Sequence, residues 1–153
     1  MIRVRPATSA DQATLVDFNA AMALETENKR LDPARLRPGV AAVLSDPARG
    51  RYRVAEQDGR VVGALLVTLE WSDWRNGWFW WIQSVYVRPE ARGRGVYRAL
   101  HRSVLDEARA QPDVCGVRLY VDQENGVAQA TYAAVGMGRT HYVFFEEDFT
   151  ARR

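Results

Sequence analysis

The segment from Val85 to Ala108 constrains this chain most, because the spacing of its apolar residues changes abruptly across a turn built on two glycines. Val85-Tyr86-Val87 closes a long aromatic and β-branched run. Arg88-Pro89-Glu90-Ala91-Arg92-Gly93-Arg94-Gly95 follows, and then Val96, Leu100, Val104 and Ala108 recur every four residues up to Pro112. A strand therefore feeds a glycine turn that opens a helix. In that geometry several backbone N–H groups converge at a helix N-terminus, where the dipole also favours an anion. The segment has no Gly-Lys-Ser/Thr, so it is not a P-loop. Arg98 stands where a dinucleotide fingerprint needs its third glycine. Read from the residues alone, the turn is either a phosphate cradle or a tight left-handed turn that needs glycine for geometry only.

The elements around it suit an α/β protein. Ile2 to Arg5 alternates as a half-buried strand, and Pro6 ends it. Thr8 and Asp11 introduce a helix over roughly 9–27, and Asp32-Pro33 introduces a short one over roughly 33–45. Tyr52 to Ala55, Asp58-Gly59 and Val61 to Leu69 read as a hairpin. Asn76-Gly77 then leads into the strand from Trp78 to Val87. After the helix at 96, Val117 to Val121 reads as a strand, 124–135 as a helix closed by Gly136, and Tyr142 to Phe145 as a last strand. The order β-α-α-β-β-β-α-β-α-β implies a mixed central sheet flanked by helices.

The 153 residues suit a single domain, 1–153. No apolar run approaches the roughly 18 residues of a membrane span, and the N-terminus lacks a signal-like apolar stretch, which predicts a cytoplasmic protein with no membrane partner. One cysteine, Cys115, and two histidines, His101 and His141, offer neither a disulfide nor metal-ligand spacing, so no metal is expected. A net charge of +2 with scattered arginines argues against a nucleic-acid partner.

Arg92-Gly93-Arg94-Gly95-Val96-Tyr97 resembles the acyl-CoA signature of the GCN5-related N-acetyltransferase (GNAT) superfamily, Arg/Gln-x-x-Gly-x-Gly/Ala, in all but its last place. A second stretch, Asn125-x-x-Ala128-x-x-x-Tyr132-x-x-x-Gly136-Met137, resembles that family's C-terminal motif. The element order is also the family's, so the resemblance extends over essentially the whole chain and implies the acyl-CoA N-acyltransferase fold. It further implies an acyltransferase that uses acetyl-CoA as acyl donor and a small amine or peptide amine as acceptor, with direct attack in a ternary complex.

Residue by residue, the resemblance implies that the strand Val85, Tyr86 and Val87 pairs with the pantetheine arm through the backbone of Val85 and Val87. The amides of Arg92, Gly93, Arg94, Gly95, Val96 and Tyr97 would hold the pyrophosphate, and Asn125 would contact CoA. Tyr132 would protonate the leaving thiolate. The alternative for Asn125 is an N-cap, and for Tyr132 a helix core aromatic. Two departures stand out. Tyr97 replaces a small residue, so its ring must swing away from the turn, for instance over the adenosine. Gln83 stands on a strand where several family members carry a glutamate base, and a glutamine cannot take a proton.

All five tryptophans fall between positions 71 and 81, among Glu70, Asp73 and Arg75. Aromatic faces beside carboxylates suit a cationic amine. Glu70 is the first choice of catalytic base, with Glu25, Glu27, Trp71 and Asp73 as further acceptor-site residues. A non-catalytic acyl-CoA-binding or sensing domain of the same fold is the alternative. The aromatic run Tyr142 to Phe145 points to a homodimer.

Overall fold

The computed structural model describes residues 1–150. They fall into two compact units, Met1–Tyr120 and a second that begins at Val121.

The first unit is a five-stranded sheet in the order β1-β2-β3-β4-β5, with helices on both faces. The strands are β1 (Ile2–Pro6), β2 (Arg51–Gln57), β3 (Arg60–Ser72), β4 (Gly77–Val87) and β5 (Val114–Arg118). The first four pair antiparallel and β5 joins β4 in parallel, which makes the sheet mixed. The hairpin residues behave as their chemistry dictates, with positive φ at Asp58, Gly59 and Asn76. Helices α1 (Gln12–Glu27) and α2 (Pro33–Ser45) lie on one face and α3 (Val96–Ala110) on the other. Pro33 opens α2 while the Asp32 side chain accepts from the Ala34 amide at 2.9 Å. Arg5 ties β1 to its surroundings through Asp11 and Glu56, each at 2.8 Å. The hydrogen bonds from Arg5 hold the Asp11 carboxyl below its ordinary pKa.

Alternation sorts the strand residues between two cores. Leu15, Phe18, Val40, Tyr52, Val54, Ala64, Leu66 and Tyr86 pack under α1 and α2. Ala55, Val62, Leu65, Val67, Trp80 and Ile82 pack with Val96, Leu100 and Val104 of α3. Three register shifts adjust this pattern, one each in the β2–β3, β3–β4 and β4–β5 pairings. In β4, Tyr86 pairs with Ala64 and Gln83 with Leu66, so Ser84 and Val85 together oppose Leu65. Ser84 takes a φ of 53°, left-handed for a non-glycine residue, as the bulged position.

The second unit holds α4 (Gly126–Ala134), closed by Gly136 at φ 94°. Two expectations differ from this outcome. The fifth strand runs Val114–Arg118 rather than from 117, because its register is set by Trp78 to Trp81 of β4. Tyr142 to Phe145 forms no strand: the residues alternate suitably, but among the described residues of this unit no other strand offers a ladder. No helix among the described residues is long and apolar enough to cross a membrane.

Candidate active site

The site begins where β4 loses its neighbour. Pairing between β4 and β5 runs from Trp78↔Val114 to Trp81↔Arg118 and stops there. From Ile82 to Val87 the strand is paired on the β3 side only. The Arg88 amide donates to the Val62 carbonyl at 2.8 Å, so by ladder alternation the amide and carbonyl of Val87 face the open edge. The Arg92 Nε donates to that same carbonyl at 2.9 Å. Tyr86 is turned the other way. Its backbone pairs with Ala64, its ring packs on Phe18 at 4.9 Å, and its hydroxyl donates to Glu25 at 3.2 Å. Burial, followed by the neighbouring Glu25 charge, pushes the Tyr86 phenol pKa up.

The open edge leads into the glycine turn. Gly93 and Gly95 adopt φ of 74° and 82°, and a Cβ at either would meet nothing within 4 Å. Glycine is required there by the backbone, and the space above it is free for a ligand. Gly95 precedes the first residue of α3 and no side chain caps that helix, leaving its first-turn amides for an anion. Arg92 and Arg94 are exposed beside them. Arg92 is held by Glu25 at 2.7 Å, with its guanidinium 5.5 Å from the centre of the Tyr86 ring. The Tyr97 hydroxyl pairs with His101 Nδ1 at 3.0 Å. That bond carries the phenol one turn into α3 and away from the glycines, rather than out over a ligand. His101 is buried with its Nε2 unpartnered, and burial, then Arg109, lowers its pKa.

On the α1/α2 face, beyond the footprint of those helices, β3, β4 and β5 present a polar group. Gln83 Nε2 donates to Thr68 Oγ1 at 2.7 Å. Glu70 Oε1 accepts from Arg118 Nη1 at 3.0 Å and from Trp81 Nε1 at 3.2 Å. The Arg118 guanidinium lies 3.5 Å from the centre of the Phe79 ring, and that of Arg75 lies 5.0 Å from it.

The acceptor-site residues expected from the sequence are therefore divided. Glu25 joins the glycine turn, and Glu27 ends α1 exposed. Trp71 lies on the opposite face from Glu70, as adjacent strand residues must, and meets Trp78 edge-on at 4.9 Å. Asp73 accepts from the Trp74 amide within the β3–β4 turn. Of the five tryptophans only Trp81 contacts Glu70. Arg118 was not legible as a site residue, because its partner Glu70 stands 48 positions away. In the second unit Asn125 Oδ1 accepts from the Ala128 amide at 3.1 Å and so caps α4. Tyr132 lies on α4 half-buried, and burial pushes its pKa up.

A family model described as the acetyltransferase (GNAT) family matches residues 16–137, from within α1 to the end of the second motif. The chain belongs to that acetyltransferase family. Mycothiol acetyltransferase of Kocuria rhizophila is 31% identical over 143 residues, which are 92% of this chain and 47% of that protein. The chain thus spans about half the length of that relative. Aminoalkylphosphonate N-acetyltransferase of Salmonella typhimurium is 29% identical, with 92% of each chain covered. Among solved structures, one described as a possible acetyltransferase from Clostridium difficile superposes with a TM-score of 0.90 at 40% identity, over 97% of each chain. That superposition shares the GNAT fold of mixed sheet and flanking helices.

Proposed function

We propose that this GNAT-family chain is an N-acetyltransferase that moves the acetyl group of acetyl-CoA to a primary amine by direct attack in a ternary complex. Residues 1–153 act in it as one N-acetyltransferase domain. The observation that carries the reading is the unpaired edge of β4 from Ile82 to Val87, running straight into two left-handed glycines and an uncapped helix N-terminus. An extended pantetheine arm fits such an edge as an added strand, and a pyrophosphate fits the turn. The family match continues from the first unit into the second, in keeping with one domain. Two relatives named as acetyltransferases, one of them an N-acetyltransferase acting on aminoalkylphosphonates, support an amine acceptor.

Acetyl-CoA would supply the activated thioester. Backbone amides along Val85–Val87 then polarise its carbonyl as an oxyanion hole. Gly93 to Tyr97 hold the phosphates. Arg92 braces the turn from its bonds to Glu25 and Val87. Tyr132 donates the proton to the departing thiolate. Its buried phenol stays protonated through neutral pH, as a donor must. Asn125 orients the start of α4 and so the helix that carries Tyr132. Glu70 is committed to Arg118 and Trp81, and we assign it to holding Arg118 while the amine loses its proton to water. The exposed Tyr142, Val143, Phe144 and Phe145 support a homodimer, which sedimentation checks, and a cytoplasmic location is part of the same proposal.

The test is thiol release from acetyl-CoA against a panel of primary amines. Wild type should release thiol with at least one of them. Tyr132→Phe should keep its acetyl-CoA affinity and lose roughly 10²–10⁴-fold in kcat. Tight acetyl-CoA binding with no amine-dependent release would instead mark a binding domain, and an unimpaired Tyr132→Phe would remove Tyr132 from the chemistry.

A further inference from the structure

On the face of the sheet that carries Gln83, the charges around Phe79 do not cancel. Two guanidinium groups, Arg118 from β5 and Arg75 from the β3–β4 turn, bear on one aromatic ring at 3.5 and 5.0 Å. One carboxylate, Glu70, answers them. Its Oε1 is shared between Arg118 and the Trp81 indole. Asp73, the other acid of the hairpin, is turned to the Trp74 amide. Among the described residues Arg75 has no carboxylate within ion-pair distance. The two cations thus share one ring and are only partly neutralised, a charge that an anion bound beside them relieves. Arg118 is also fixed in advance. Its guanidinium is held over Phe79 with one nitrogen on Glu70, so little side-chain freedom is lost when a ligand binds.

The sequence places carboxylates beside tryptophans and so suggests a pocket for a cation. The structure adds guanidinium groups to that face, because Arg118 comes from a strand far along the chain and pairs with Glu70.

We propose that Arg75 and Arg118 over Phe79 form the anion-binding end of the acceptor site. The acceptor is then an extended amine carrying a carboxylate or similar anion some distance from its nitrogen. The inference rests on the acetyl-transfer reading, which puts the reacting nitrogen at the β4 bulge. Ser84 stands five positions beyond Phe79, and a strand rises about 3.4 Å per residue, so the two ends lie roughly 15 Å apart once the bend at the bulge is allowed for. Trp81 and Gln83, on the same face of β4, form the floor between them. A short amino acid or aminoalkylphosphonate cannot reach both ends. A chain of about four residues can, at up to 3.6 Å per residue plus a side chain.

The experiment compares two tetrapeptide amides that differ by one charge, Gly-Gly-Gly-Glu amide and Gly-Gly-Gly-Gln amide, with 2-aminoethylphosphonate as a short anionic amine. Acetyl-CoA turnover is read as thiol release for each. Wild type should show a KM for the Glu peptide at least about tenfold below that for the Gln peptide. Arg118→Gln and Arg75→Gln should each bring that ratio towards one while the Kd for acetyl-CoA, measured by calorimetry, stays put. Arg75 lies in an exposed turn, so its substitution reads out the charge even where Arg118→Gln perturbs β5. Equal KM values in wild type, a ratio that survives both substitutions, or a preference for the short phosphonate overturns the subsite. Turnover of other amines but of neither peptide overturns it too, leaving acetyl transfer intact. No thiol release with any amine overturns the acetyl-transfer reading and the subsite together.

Discussion

On the α3 side of the sheet, Leu65, Val67, Trp80 and Ile82 are buried against Val96, Leu100 and Val104. On the other side of the same strands stand Thr68, Glu70, Trp81 and Gln83, joined in pairs by hydrogen bonds, with Glu70 also ion-paired to Arg118. Alternation lets one strand serve a dry face and a wet one without compromise between them. The dry face fixes where β3 and β4 lie, and the wet face uses that placement for chemistry. Stability and specificity should therefore respond to substitutions on different faces.

The sharpest way to break that division is to compare Leu65→Ala with Thr68→Ala, three positions apart on β3. The first removes a fully buried side chain and should cost about 2–5 kcal/mol. The second removes the acceptor for Gln83 and should cost about 1 kcal/mol. Chemical denaturation of both variants measures the difference, and equal losses would show that the wet face also carries the fold. The next effect belongs to the turn beyond the open edge. Gly95→Val asks a β-branched residue to hold a φ of 82°, so the turn should distort and the Kd for CoA should rise roughly 10- to 100-fold by calorimetry, with a stability loss of about 1–3 kcal/mol. Unchanged affinity would reject the phosphate-cradle assignment. The smallest effect concerns His101, a buried titratable group on the dry side. Burial holds the His101 pKa below its ordinary value, so the unfolded chain takes up that proton first. Its contribution is intact above about pH 6.5 and declines as pH falls, by at most about 1.4 kcal/mol per pH unit. The Tm of wild type should drop between pH 6.5 and 5 by more than that of His101→Gln, and parallel curves would mean that His101 is not the group responsible.

Much of the architecture was legible because its signals are local. Asp32-Pro33, Asp58-Gly59 and Asn76-Gly77 act within a few residues, and the structure begins α2, β3 and β4 where they stand. The glycine turn was legible for the same reason, since φ at Gly93 and Gly95 is a property of those positions. Partners far apart in the chain were not legible. Nothing near Glu70 announces Arg118, and nothing near Arg92 announces Glu25, which is 67 positions away. The charge presented beside Phe79 depends on the first of these pairs. Tyr142 to Phe145 fails in the complementary way: the alternation of a strand is present in the residues, but a strand also needs a neighbour to bond with, and alternation does not supply one.

Ser84 adds a single residue to β4 that β3 does not match. A strand has only two faces, so the choice between them is a matter of odd and even, with no intermediate. Before the bulge the residues turned towards α1 and α2 are odd, Phe79, Trp81 and Gln83; after it the residue so turned is even, Tyr86. Deleting Ser84 would make the alternation regular, with Tyr86 two residues after Gln83 and still turned towards α1. The contact with Phe18 and the bond to Glu25 would survive, and what would be lost is the bend that the unmatched residue puts into the strand just before its open edge. Such a bend is a matter of counting: it depends on two residues standing between Gln83 and Tyr86, so a descendant or redesigned sequence either keeps both or straightens the strand.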